Sequence, residues 1–78
     1  MSTQDAPVRI YNPESFGHAV RYFREQAGLT QVELARRMGL RRPTLVALEA
    51  GKMTEQTRLI VEVLKELGAR ITVQRADW

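Results

Sequence analysis

Four arginines, Arg36, Arg37, Arg41 and Arg42, stand within seven positions with no acid among them, and Lys52 follows a little further on. Across residues 33 to 52 five bases face two acids, Glu33 and Glu49, whereas the rest of the chain holds seven of each. The whole net charge of +3 therefore comes from one 20-residue window. Guanidinium groups gathered in this way present fixed hydrogen-bond donors to phosphates and base edges, so a polyanion is the ligand they fit. On charge alone, a basic solvated helix face is the plainer reading.

The remaining chemistry-bearing residues offer little. His18 is the only histidine, four residues after Glu14, and one imidazole with one carboxylate is too small a ligand set for a metal site. There is no cysteine, which excludes disulfides and thiolate zinc sites. Glu49 has no complementary acid or base at a catalytic spacing and reads as a structural acid paired with a nearby base or a helix terminus. Ser2 and Ser15 lack any base-and-orienter arrangement. Neither catalysis nor a cofactor is expected.

The elements that would position the basic window follow from length and punctuation. At 78 residues, 44% hydrophobic and 27% charged, the chain fits a single domain with one core. A domain this size buries roughly 60% of its unfolded surface, so a partner subunit is the expected stabiliser. With no basic start leading into an apolar run, and nowhere 18 consecutive apolar residues, a soluble intracellular protein is expected. Gly28, Gly39, Gly51 and Gly68 each follow a stretch of apolar residues at helical spacing, which predicts four helices ending at left-handed glycines.

The first helix is predicted from about Pro13 to Ala27, with Asn12 as N-cap and Phe16, Val20, Phe23 and Ala27 along one stripe. The second opens with the capping box Thr30-Gln-Val-Glu33 and turns Leu34, Ala35 and Met38 inward. Pro43 suits the first turn of the third, which is expected to bury Leu45 and Leu48. Thr54 caps the fourth, whose Leu59, Ile60, Val63, Leu64 and Leu67 form the apparent core stripe, with Val61 off it and exposed. Alternation in Arg70-Ile-Thr-Val-Gln-Arg75, and more weakly in Val8-Arg9-Ile10-Tyr11, predicts short strands at 70–75 and 7–11. Strands so short need each other or a copy from another chain.

Two short helices joined by a tight turn around Gly39, the second basic at its start, are the parts of a helix-turn-helix reader. The run Gly28-Leu-Thr-Gln-Val-Glu-Leu-Ala-Arg-Arg-Met-Gly-Leu-Arg-Arg-Pro-Thr-Leu-Val-Ala-Leu-Glu-Ala-Gly-Lys52 resembles the DNA-binding domain of the Cro and lambda-repressor type. The resemblance covers about residues 13 to 68. It implies a mainly α, compact four-helix domain, here one domain over 1–78 with a DNA-binding core at 12–68, that binds double-stranded operator DNA. On this resemblance Gln31 clamps a phosphate and sets the docking register. Arg41, Arg42 and Thr44 open the recognition helix, with Arg42 the foremost base reader, since an arginine makes two hydrogen bonds to guanine. Lys52 and Arg36 or Arg37 contact the backbone. The sequence departs from the family pattern where Arg41 replaces a serine or threonine cap, and where Val46 and Ala47 replace polar contact residues and are left to touch a thymine methyl.

The ends carry a second resemblance. Leu64-Lys-Glu-Leu-Gly-Ala-Arg-Ile-Thr-Val73, together with the N-terminal strand and Pro13-Glu-Ser-Phe-Gly17, is similar to HipB-type antitoxins. That similarity implies a homodimer whose terminal strands form an intersubunit sheet through Val8, Ile10, Ile71 and Val73. It also implies binding to a kinase-like HipA-type toxin, repression of its own operon, and a place in the prokaryotic cytoplasm, associated with the nucleoid. Two other readings stand beside it: a stand-alone regulator without a toxin, and a protein-interaction module with weak DNA binding. Trp78 is either core area for the small domain or an aromatic anchor for the toxin.

Overall fold

The computed structural model of the chain describes residues 7–52 and 54–76. Trp78 lies outside the described residues. The element order is β1 (Val8–Ile10), α1 (Pro13–Gln26), α2 (Gln31–Met38), α3 (Arg42–Glu49), α4 (Glu55–Glu66) and β2 (Ile71–Val73). The chain is thus mainly helical, with one short antiparallel sheet. Val8 faces Val73, Arg9 faces Thr72 and Ile10 faces Ile71 within the same chain, so each strand finds in the other the partner its length requires.

The helix ends obey their local chemistry. Asn12 accepts from the Ser15 amide at 2.8 Å while Ser15 Oγ accepts from the Asn12 amide at 3.0 Å, a capping box that starts α1 with Pro13 in its first turn. Thr30 and Glu33 make the same reciprocal pair at the start of α2, and Thr54 caps α4. The α3 N-cap, Arg41, makes no side-chain capping bond, as its residue type dictates. All four punctuating glycines have positive φ, and Gly39, at 68°, lets the chain leave α2 and enter α3 through a short turn.

The core forms where α1 and α2 pack on α3 and where β1 packs on β2 and α1. Ile10, Ala19, Ala35, Leu45 and Val61 are buried in it. Among the glycines the tightest packing is at Gly17, in the second turn of α1: a methyl group there would run into the carbonyl of Glu49 and lie 2.9 Å from the Gly51 nitrogen. Glycine at this position is what lets α1 lie directly against the C-terminal end of α3.

Several expected core residues are not in the core. Met38 shares the stripe of Ala35 but is the last residue of α2, and it is exposed. Leu48 lies at the edge of a cavity of about 560 Å³ bordered by Phe16, Thr44 and Thr57, and is likewise exposed. The reversal is sharpest in α4, where Val61 is buried and Leu59, Ile60, Val63 and Leu67 face outward. The helix meets its own chain along the edge formed by Thr57, Val61 and Leu64, so the dense apolar stripe points away from the core.

Candidate nucleic-acid interface

The site is built around one carboxylate. Glu49, the last residue of α3, is buried and receives Arg24 Nε from α1 at 2.6 Å and Arg24 Nη2 at 3.1 Å. The third donor direction of the same guanidinium, Nη1, reaches the Leu29 carbonyl at 2.8 Å, just ahead of α2. Glu49 also accepts from Gln31 Nε2 at 3.1 Å, and Gln31 Oε1 in turn accepts from Arg42 Nη2 at 3.5 Å. A single connected network therefore runs from α1 through the end of α3 to the first residues of α2 and α3. The Arg24 hydrogen bond holds the Glu49 carboxyl below its ordinary acid range, outweighing the burial that would raise it. The pair is charged and each member is satisfied, which is the condition for a buried ion pair to be tolerated.

The arrangement fixes Gln31 in place. Its amide is held on both sides, and its backbone N–H and that of Val32 belong to the first turn of α2, outside the intrahelical ladder. Those donors, together with the positive end of the α2 dipole, form an anion-favouring spot. Glu33 sits in the same turn, but its carboxyl is occupied by the Thr30 amide at 2.8 Å, the contact that most lowers its pKa.

Around this network lies an open cleft of about 510 Å³ bordered by Arg21, Arg24, Gln31, Arg42 and Val46. A second cavity, of about 430 Å³, continues over the outer face of α3 past Arg42, Val46, Ala47 and Lys52. Of the residues singled out in the sequence, Gln31, Arg42, Val46, Ala47 and Lys52 thus fall on one continuous surface. Thr44 borders the neighbouring cavity between α3 and α4, which it shares with Ala47 and Lys52. Arg36 and Arg41 are exposed and border none of these three cavities.

Sequence reasoning missed Arg21 and Arg24 on α1. Arg21 borders the cleft and pairs with Glu25 at 3.2 Å, one helical turn on. The signal was present as Arg21, Arg24 and Glu25 at spacings that share a helix face, but both bases lie outside the basic window. Glu49 matches its structural reading, with the partner base supplied by a helix 25 positions away in sequence.

No helix among the described residues is long and apolar enough to cross a membrane. The helix-turn-helix family model HTH_3 matches residues 20–73. An HTH-type transcriptional regulator of Archaeoglobus fulgidus is 44% identical over 52 residues, 67% of this chain and 74% of the relative. The HTH-type transcriptional regulator y4mF of Sinorhizobium fredii is 40% identical over 65 residues, covering 83% of this chain and 86% of its own. A third, MJ0272 of Methanocaldococcus jannaschii, is 35% identical over 52 residues, 67% of this chain and 79% of its own. No solved structure gives a significant match.

Proposed function

The chain belongs to the HTH_3 helix-turn-helix family, and we propose that it is a sequence-specific DNA-binding transcriptional repressor that grips operator DNA as a homodimer. The observation that carries this reading is the continuous surface joining Gln31 at the start of α2 to Arg42, Val46, Ala47 and Lys52 on α3 and after it. Gln31 and the α2 N-terminus meet a phosphate, and α3 lies in the major groove. Arg42 reads a guanine through its two parallel donors, while Val46 and Ala47 meet thymine methyls. Lys52 and Arg36 neutralise phosphates. Arg41 contacts a base or a phosphate at the entry to the groove, and Thr44 lies one turn further along.

One recognition helix spans only a few base pairs, so two copies reading a palindrome are needed for useful specificity. The test is fluorescence anisotropy with the duplex upstream of the chain's own gene against a scrambled duplex at fixed salt. Saturable binding that survives excess scrambled competitor is expected; equal affinity for the two duplexes overturns the reading.

The repressor is further proposed to act as the antitoxin of a HipBA-like pair, silencing its own operon and neutralising a kinase-like toxin. The feature that supports this is the helix that stops at Gly68 and turns at once into β2, which pairs with β1. Co-expression with the kinase-like product of a neighbouring gene is expected to restore growth and to yield a stable complex. A toxic kinase left unbound by this chain leaves the stand-alone repressor as the correct reading.

A further inference from the structure

We propose that the outward apolar stripe of α4 seats in a groove along α1 of a second copy of this chain, and that the second copy returns the same contact. The inference rests on the dimeric reading above and gives that dimer its interface. Leu59, Ile60, Val63 and Leu67 are 59, 54, 46 and 74% exposed, and at 100° per residue they lie within one face about 100° wide. Four large aliphatic side chains side by side on one surface helix form a patch of the kind that marks an interaction site.

The same chain carries a matching receptacle. Phe16, Ala19, Val20, Phe23, Leu34 and Val73 line an open cavity of about 330 Å³ between α1, α2 and the end of the sheet. Most of these side chains are half-buried, so the groove is the uncovered flank of the core. From Leu59 to Leu67 the stripe runs about 12 Å, and from Phe16 to Phe23 the groove runs about 10 Å.

A second copy is the occupant because α4 cannot present its stripe to its own groove without loss. Val61 is 3% exposed on the other edge of the helix, and rolling α4 inward would take it out of the core. Stripe and groove match in length and in apolar character, and both belong to this chain. Each copy holds one stripe and one groove, so a two-fold axis satisfies both at once and closes the assembly.

The chain has no cysteine, which permits a direct test. Val63→Cys and Val20→Cys are made separately, mixed to exchange subunits, and treated with a short bismaleimide. A covalent dimer containing one of each variant, absent when either is treated alone, is expected. Linkage of Val63→Cys only to itself places α4 against α4 and overturns the proposal. So does an intrachain link in a monomeric Val20→Cys/Val63→Cys double variant. Sedimentation equilibrium at micromolar concentration is expected to give a dimer for the natural chain and a monomer for Val63→Glu, whose position is exposed in the single copy. A dimer that survives Val63→Glu means that the interface lies elsewhere while operator binding by two copies stands. Correct cross-linking without any preferred DNA sequence removes the operator reading and leaves the interface.

Discussion

Arg24 and Glu49, 25 residues apart in sequence, meet through two hydrogen bonds of 2.6 and 3.1 Å and thereby tie the last turn of α1 to the end of α3. The same carboxylate holds Gln31, so the network that joins α1 to α3 also orients the residue assigned to the phosphate clamp. On the proposed reading, stability and recognition share one side chain.

Removing that side chain is expected to damage both. Glu49→Ala leaves Arg24 without its charged partner in a buried setting, a change of about 3 kcal/mol, and it frees the Gln31 amide. Thermal unfolding is expected to fall by well over 10 °C. Glu49→Gln keeps the shape and should recover part of the stability but not the ion pair. A Glu49→Ala protein with unaltered melting would show that the contact is not formed in solution.

Acid sensitivity has a defined direction. The folded Glu49 and Glu33 carboxyls lie below their ordinary value of 4.5, so their contributions are complete above that pH and are lost as pH falls through the folded pKa values. Stability is therefore expected to be flat from pH 7 down to about 5 with respect to these groups and to drop below about 4.5. Glu33→Gln and Glu49→Gln should each flatten the acid limb of a melting-temperature profile, and an unchanged limb in both would contradict the assignment.

Gly17→Ala provides a test of the close packing. In an exposed helix interior this change would stabilise by about 1 kcal/mol. Here the new methyl group meets the α3 backbone at Glu49 and Gly51, which cannot swing aside as a side chain does. A net destabilisation of about 1–3 kcal/mol is expected from overpacking, read as a lower denaturant midpoint. Gly28 has open space around it, so Gly28→Ala should show only the modest penalty of its positive φ.

Arg41 separates capping from binding. Because it caps α3 without a side-chain bond, Arg41→Ser should stabilise the domain by about 1 kcal/mol, or about 4–8 °C in Tm for a domain of this size. The same change should weaken DNA binding through the lost charge. A variant that is both stabler and undiminished in DNA affinity would remove Arg41 from the interface.

The elements were legible in the sequence because their signals are local: a cap, a proline in the first turn, a capping box and a glycine each act within a few residues. Thr30 with Glu33 and Gly39 with its neighbours needed no tertiary information. What could not be read was which face of each helix the rest of the chain would cover. Apolar periodicity on α4 marks Leu59, Ile60, Val63 and Leu67 as a stripe but not what that stripe faces, and it is Val61, off the stripe, that the chain itself buries. The site was partly legible for a similar reason. Arg42 stands in the basic run of the sequence, whereas Arg21 and Arg24 reach the same cleft only through the packing of α1 on α3. Ser15 is a capping residue and not a nucleophile, a role set by its distance of three positions from Asn12.

On the proposed reading, α3 reads base sequence chiefly through Arg42. The most direct measurement is selection of bound duplexes from a random library, followed by titration of the natural chain and Arg42→Ala on the selected and random DNA at one salt concentration. The natural chain is expected to enrich a palindrome with half-sites about 34 Å apart. Arg42→Ala should lose about 1–3 kcal/mol on that site and far less on random DNA, whereas Lys52→Ala should weaken both alike and lower the salt slope by about one. Failure to enrich any sequence, or equal losses on selected and random DNA for Arg42→Ala, would contradict it.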